Sequence, residues 1–207
     1  MAQIEHASLA SAKTAVAELV KRFERNLDQY RRSGYNETQA RVDYIDPFFE
    51  ALGWDVHNRA GYSEAYRDVV HEESLRLAAG IEAPDYAFRI GGARKFFVEA
   101  KKPAVNVKDD AGPAYQLRRY AWSAHLPLSI LTDFEELAVY ECTRRPGPND
   151  KAGVGRVEYY TFEQYPDKLP QIWDVCSRKT LCCKARSTAT SRAPRASAAR
   201  AKWTTSS

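Results

Sequence analysis

The 207-residue chain has little of what marks a secreted, metal-stapled or membrane-spanning protein. It contains only four cysteines, and Cys142, Cys176, Cys182 and Cys183 form no CxxC pair. Without such a pair or a histidine cluster beside it, neither a zinc site nor a redox motif is indicated, and free thiols are expected. The four histidines, His6, His57, His71 and His125, are scattered. No run of about 18 apolar residues is present, which excludes a membrane-spanning helix. The opening MAQIEHASLASAK lacks the apolar stretch of a signal peptide, so a cytoplasmic protein with no membrane partner is expected. Equally absent are HExxH, GxxxxGK[ST], a Rossmann GxGxxG and a GxSxG elbow, and with them the commonest zinc-hydrolase, nucleotide-binding and serine-hydrolase readings. Strong charge of one sign is missing too. The net charge is +4, but eight basic and no acidic residues follow Ser177, so the preceding body carries −4. Bulk charge therefore does not announce a nucleic-acid binder; any such function must rest on a local patch or on metal ions offsetting carboxylates.

What is present is the composition of one soluble globular domain, with 44% hydrophobic and 12% aromatic residues. From Ala7 to Tyr30 apolar residues recur at three and four, the spacing of an amphipathic helix. Asn36 can cap a second helix with Glu37 in its first turn and Val42, Ile45, Phe48, Phe49 and Leu52 on its buried face; Gly53 stops it, and Pro47 either kinks it or begins another. One or two short strands are expected between Val69 and Leu77. Clearer strands follow at Tyr86–Ile90 and Lys95–Ala100, punctuated by Gly91 and Gly92 as a hairpin. A helix over Tyr115–His125, strands at Leu128–Thr132, Leu137–Tyr140 and Val157–Phe162, and a short helix over Leu169–Val175 complete an α/β or α+β sheet domain. Beyond Val175 the Ser, Ala, Thr and Arg-rich sequence has no apolar periodicity and is expected to be disordered. The expected organisation is thus an N-terminal helix over residues 1–35, a catalytic domain over 36–176 and a basic tail over 177–207.

The chemistry concentrates in Pro84-Asp85, thirteen residues, then Glu99-Ala100-Lys101. Strand alternation puts Phe97, Glu99 and Lys101 on one face and Phe96, Val98 and Ala100 on the other. If the two strands pair as a hairpin, Asp85 opens its strand close to Glu99. Two carboxylates and an amine then converge, a donor set that suits Mg²⁺ (with Mn²⁺ as substitute) and phosphodiester hydrolysis. Lys101 can orient water or stabilise charge on phosphorus, and the Ala100 carbonyl is a further ligand candidate. An E-x-K tripeptide alone is common; its setting on an apolar strand after a Pro-Asp and a glycine hairpin, before a helix carrying Gln116 and Tyr120 four apart, raises its weight.

Those residues resemble the PD-(D/E)XK nuclease core with the Q-x-x-x-Y motif of RecB-like members. The longer stretches NETQARVDYIDPFFEALGWDV, YRDVVHEESL, PDYAFRIGG, KFFVEAKKP, YQLRRYAWSA and LSILTDFEELAVYEC resemble the N-terminal nuclease domains of type IIG restriction-modification enzymes, with type I restriction R subunits as relatives. The resemblance implies a mixed central sheet flanked by helices and a Mg²⁺-dependent endonuclease acting on double-stranded DNA. It assigns Asp85 and Glu99 to metal, Lys101 to catalysis, and an acidic residue of an early helix to the same site, with Glu37 the choice and Glu50 the runner-up. Gln116 and Tyr120 would orient the metal site or the DNA backbone, and Arg118 and Arg119 could contact phosphate. The methyltransferase and target-recognition parts of that family are not in this sequence, so a truncated chain is expected, with methyltransferase or specificity parts as possible partners and a dimer on DNA as the route to double-strand cutting. The alternatives are a noncatalytic DNA-binding or interaction module, and an inert remnant of a disrupted gene.

Overall fold

In a computed structural model of the chain, residues 7–32, 34–77 and 80–191 are described. The first helix, α1 (Leu9–Tyr30), starts where Ser8 accepts a bond from the Ser11 amide and the Ser11 hydroxyl closes the reciprocal cap. Its buried stripe is Ala12, Val16, Leu19, Val20 and Phe23, the face expected from the spacing.

The second helical stretch is continuous but changes pitch. It runs as α2 (Glu37–Ala40), a π-helical turn (Arg41–Ile45) and α3 (Asp46–Ala51), capped at its start by Asn36. The physical reason is Pro47, which has no N–H to return to the Asp43 carbonyl. The wide turn takes up the misfit, the Asp46 amide reaching back to Arg41, while the Arg22 guanidinium of α1 donates to the Asp43 carbonyl. Gly53 then ends the segment with φ of 91°, and a Cβ there would press on Ala7 at 3.2 Å.

Six strands form one sheet: β1 (Val69–His71), β4 (Tyr86–Ile90), β5 (Ala93–Ala100), β6 (Leu128–Thr132), β7 (Glu136–Glu141) and β8 (Arg156–Thr161), in the order β1-β4-β5-β6-β7-β8. β2 (Leu75–Leu77) and β3 (Gly80–Glu82) make a separate ribbon; β3 has too short a pattern to be anticipated. Every neighbouring pair is antiparallel except β5 and β6. That parallel pair requires a crossover, which α4 (Ala111–Ser123) supplies. Gly91 and Gly92 turn the β4–β5 hairpin with φ of 57° and 79°, both in the left-handed region that favours glycine. The expected mixed sheet flanked by helices is therefore observed.

The sheet is apolar on both faces, because both are covered. Phe88, Phe96, Val98, Ala100 and Ile130 pack with α1, α3 and α5 (Tyr165–Cys176), while Ala87, Phe97, Leu131 and Ala138 pack with Ala114, Leu117 and Ala121 of α4. The alternation read along Phe96 to Ala100 is thus realised as two cores. Truncating a fully enclosed ring such as Phe23 or Phe96 should cost about 3–5 kcal/mol.

The expected disorder from residue 177 onward is corrected for its first half. Ser177 accepts from the Thr180 amide and opens α6 (Arg178–Ser191). The Arg178 amide bonds the Leu52 carbonyl, its guanidinium reaches buried Asp68, and Leu181 packs on the main core. Ala, Leu, Lys and Arg favour helix without an apolar stripe, so periodicity alone overlooks such a segment. The tail from 192 lies outside the described residues. Among the described residues no helix is long and apolar enough to cross a membrane, and all four cysteines are free thiols.

Candidate active site

Pairing of β4 with β5 ends at Tyr86 opposite Val98, so the residues just beyond, Asp85 on one strand and Glu99 to Lys101 on the other, come together at one end of the sheet. The Asp85 carboxylate accepts the Ala100 amide through Oδ2 at 2.7 Å. Glu99, on the α4 side of β5, is 3% exposed. Its Oε1 accepts the Lys101 ammonium at 2.9 Å, while its Oε2 is buried with no partner among the described residues. A buried carboxylate oxygen without a donor is unusual and costly. Burial, and next the negative charge of Asp85, push the Glu99 carboxyl up to about 7 against the pull of Lys101.

Glu37, the first residue of α2, is held there by the Asn36 cap, in which the Gln39 side chain answers the Asn36 amide. Its Oε2 stands 3.7 Å from the Lys101 ammonium. Burial raises the Glu37 carboxyl above its ordinary range, Lys101 opposes, and Asp85 adds to the rise. Burial lowers the Lys101 ammonium, but Glu99, Glu37 and Asp85 outweigh it and hold the group above its usual value. The structure thus gathers Glu37, Asp85, Glu99 and Lys101. It leaves Glu50 elsewhere, bonded to Arg59 at 2.9 Å and beside His57.

Helix α4 closes the other side. Tyr120, nearly buried, accepts the Gln116 amide at 2.7 Å. Burial raises its phenol; the Gln116 bond opposes, and the charges of Glu99 and Glu82 add to the rise. Arg119 pairs with Glu82 of β3 and lies over the Tyr120 ring. Arg118 is different. Successive helical residues point about 100° apart, and Arg118 turns away from Arg119 into the protein, 4% exposed and bonded to Asp150 at 2.9 Å beside Gly155. The expectation that Arg118 contacts phosphate is corrected: its guanidinium clamps the loop before β8.

One residue of the site was not singled out from sequence. Arg41, the first of the π-helical turn, lies four positions after Glu37, a same-face spacing that could have marked it. Its Nη1 stands 3.5 Å from Asp85 Oδ1, Nε donates to the Tyr86 hydroxyl at 3.2 Å, and the guanidinium lies 4.7 Å over the Tyr86 ring.

Among the described residues no group of three or more His, Cys, Asp and Glu side chains is drawn together tightly enough to enclose an ion. The site offers instead an unpartnered oxygen on Glu99, the Asp85 carboxylate and the end of β5. Mg²⁺ commonly binds through one or two carboxylates and keeps several waters, so this partial set fits it better than a fully protein-ligated ion.

No family model matches the chain. It is 39% identical over 171 residues to the type II restriction enzyme and methyltransferase RM.Eco57I of Escherichia coli, a stretch covering 82% of this chain and 17% of that protein. The expected resemblance to the nuclease part of restriction-modification enzymes is borne out by that match. Among solved structures, a DrdV–DNA complex shares 15% identity at a TM-score of 0.43, covering 76% of this chain and 94% of that one. The type IIG restriction endonuclease BpuSI shares 16% identity at 0.42, covering 69% and 17%.

Proposed function

We propose that the chain is a Mg²⁺-dependent DNA endonuclease module of the type IIG class, which hydrolyses phosphodiester bonds alongside methyltransferase and target-recognition parts carried elsewhere. The observation that supports this best is the Oε2 of Glu99, buried beside Lys101 and Asp85 with no donor among the described residues, in a chain 39% identical to part of a restriction enzyme.

Asp85, Glu99 and the Ala100 carbonyl would hold the metal, with Glu37 adding negative charge. A bound Mg²⁺ or Mn²⁺ supplies polarisation of a phosphoryl oxygen and a lowered pKa for coordinated water. Lys101, charged and held by Glu99, orients the attacking water and offsets negative charge growing on phosphorus. Gln116 and Tyr120 line the α4 side, and Arg119 stacks there as a cation for the backbone. Cutting both strands needs two such sites, so two chains meet on DNA in this reading.

The test is nicking of supercoiled plasmid with Mg²⁺ and with Mn²⁺ by the intact chain, Glu99→Ala and Lys101→Ala. Metal-dependent nicking lost in both variants supports the assignment. Nicking that survives unchanged in folded Glu99→Ala sinks it.

A further inference from the structure

Resting on that nuclease reading, we propose that Arg41 is a phosphate-contacting residue of the site, presenting Nη1 to a non-bridging oxygen of the DNA strand beside Asp85. The guanidinium is fixed from behind. Nε donates to the Tyr86 hydroxyl, which itself donates to buried Asp46 at 2.6 Å. Nη2 meets His71 Nδ1 at 3.1 Å, and His71 Nε2 lies 3.3 Å from the Val56 carbonyl, so a proton on Nε2 leaves Nδ1 to accept from Arg41. The Tyr86 ring supports the guanidinium plane.

These contacts use Nε and Nη2 and leave Nη1. Its nearest carboxylates are Asp85 Oδ1 at 3.5 Å and Glu72 Oε1 at 3.7 Å, longer than the roughly 2.7–3.2 Å of a formed N–H···O bond. The side chain is 16% exposed and is already ordered by these contacts. An anionic backbone must approach Glu37, Asp85 and Glu99, and fixed cations beside the metal-binding carboxylates reduce that repulsion further. Lys101 lies against Glu99, and Arg41 against Asp85. A guanidinium whose rotamer is already held loses little entropy on accepting a phosphate oxygen, and its planar donors suit that partner. The widened turn at Arg41 is a backbone feature found frequently at functional sites.

The experiment is duplex binding by fluorescence anisotropy in Ca²⁺, across a salt series, with the full chain, Arg41→Gln, Arg41→Lys and the surface control Lys21→Gln. Arg41→Gln should weaken binding about five- to tenfold and reduce the log–log salt slope by about 0.9, the value of one phosphate contact. Lys21→Gln should match the wild type. A purely structural role would lower the melting temperature without changing the slope; an unchanged slope in folded Arg41→Gln, with the wild type binding and nicking DNA, overturns the proposal and leaves the nuclease reading intact. No binding by the wild type at any salt overturns both. Should Arg41→Gln not fold, Arg41→Lys carries the test: the charge persists but the rear anchoring is lost, so affinity should fall about threefold at constant slope, and wild-type affinity would refute the contact.

Discussion

The Lys101 ammonium holds one oxygen of Glu99 at 2.9 Å, while the other oxygen of the same carboxylate is buried without a donor among the described residues. A stabilising pair would engage both oxygens. This half-satisfied arrangement stores a cost that a ligand could relieve, and it links the stability of the fold to the state of the site.

The first consequence concerns pH. The Glu99 carboxyl is raised from 4.5 to about 7, chiefly by burial and then by Asp85. Between those values the unfolded chain has shed a proton that the folded chain keeps, so stability falls as pH rises through this window and levels off above it. Glu99→Gln removes the penalty. In chelator at pH 8 the variant should be more stable by on the order of 2 kcal/mol, or roughly 4–8 °C in melting temperature, while near pH 4.5 the two should coincide. Thermal melts from pH 4.5 to 8.5 decide it, and a variant less stable than wild type at pH 8 would contradict the burial argument. The same variant should not cut DNA.

The second concerns divalent cations. Anything that binds only the folded chain raises its stability by mass action, about 2.7 kcal/mol at a hundredfold excess over Kd. Mg²⁺ should therefore raise the wild-type melting temperature by roughly 5 °C or more under those conditions, and leave Asp85→Asn and Glu99→Gln unmoved. Protons compete for Glu99, so the shift should be larger at pH 8 than at pH 6. Equal shifts in all three proteins would place the ion somewhere else.

Arg118 and Arg119 give a third. Arg118→Ala should lower the melting temperature by several degrees, since it removes a buried clamp on Asp150, yet leave the salt slope of DNA binding unchanged. Arg119→Gln should do the reverse, reducing the slope with a smaller loss of stability, because Arg119 is partly exposed against Glu82 and Tyr120. Anisotropy and melting curves on the same preparations separate the two.

The elements that sequence made legible were those whose pattern equals their burial. The stripe of α1 and the alternation of Phe96 to Ala100 became core faces, and the Pro-Asp and E-x-K segments met because a glycine hairpin fixes their register. What sequence could not resolve was direction. Arg118 and Arg119 are adjacent and chemically equal, and only the packing of α4 turns one inward. Arg41 escaped notice because arginine at a helix surface is ordinary; its meaning arises from Tyr86 and His71, 45 and 30 positions away. Helix α6 escaped because two docked residues, Arg178 and Leu181, carry its attachment instead of a stripe.

That attachment provides the last prediction. Asp68 is buried, and the Arg178 guanidinium reaches it through Nε and through Nη2 at 3.2 Å. Burial would lower the Arg178 guanidinium, but its bond to Asp68 prevails and raises it. Removing the arginine leaves a buried carboxylate unpaired, a penalty larger than the worth of the pair itself. Arg178→Ala should therefore destabilise the fold by about 2 kcal/mol, visible as a lower urea midpoint. Asp68→Asn alone should cost less, since the amide keeps an acceptor without a charge. In the double variant the two effects should fall well short of their sum, because each removes the same interaction. Strictly additive losses would mean that the ion pair does not hold α6 to the body, and that Leu181 and the Arg178 amide bond to Leu52 carry the docking alone.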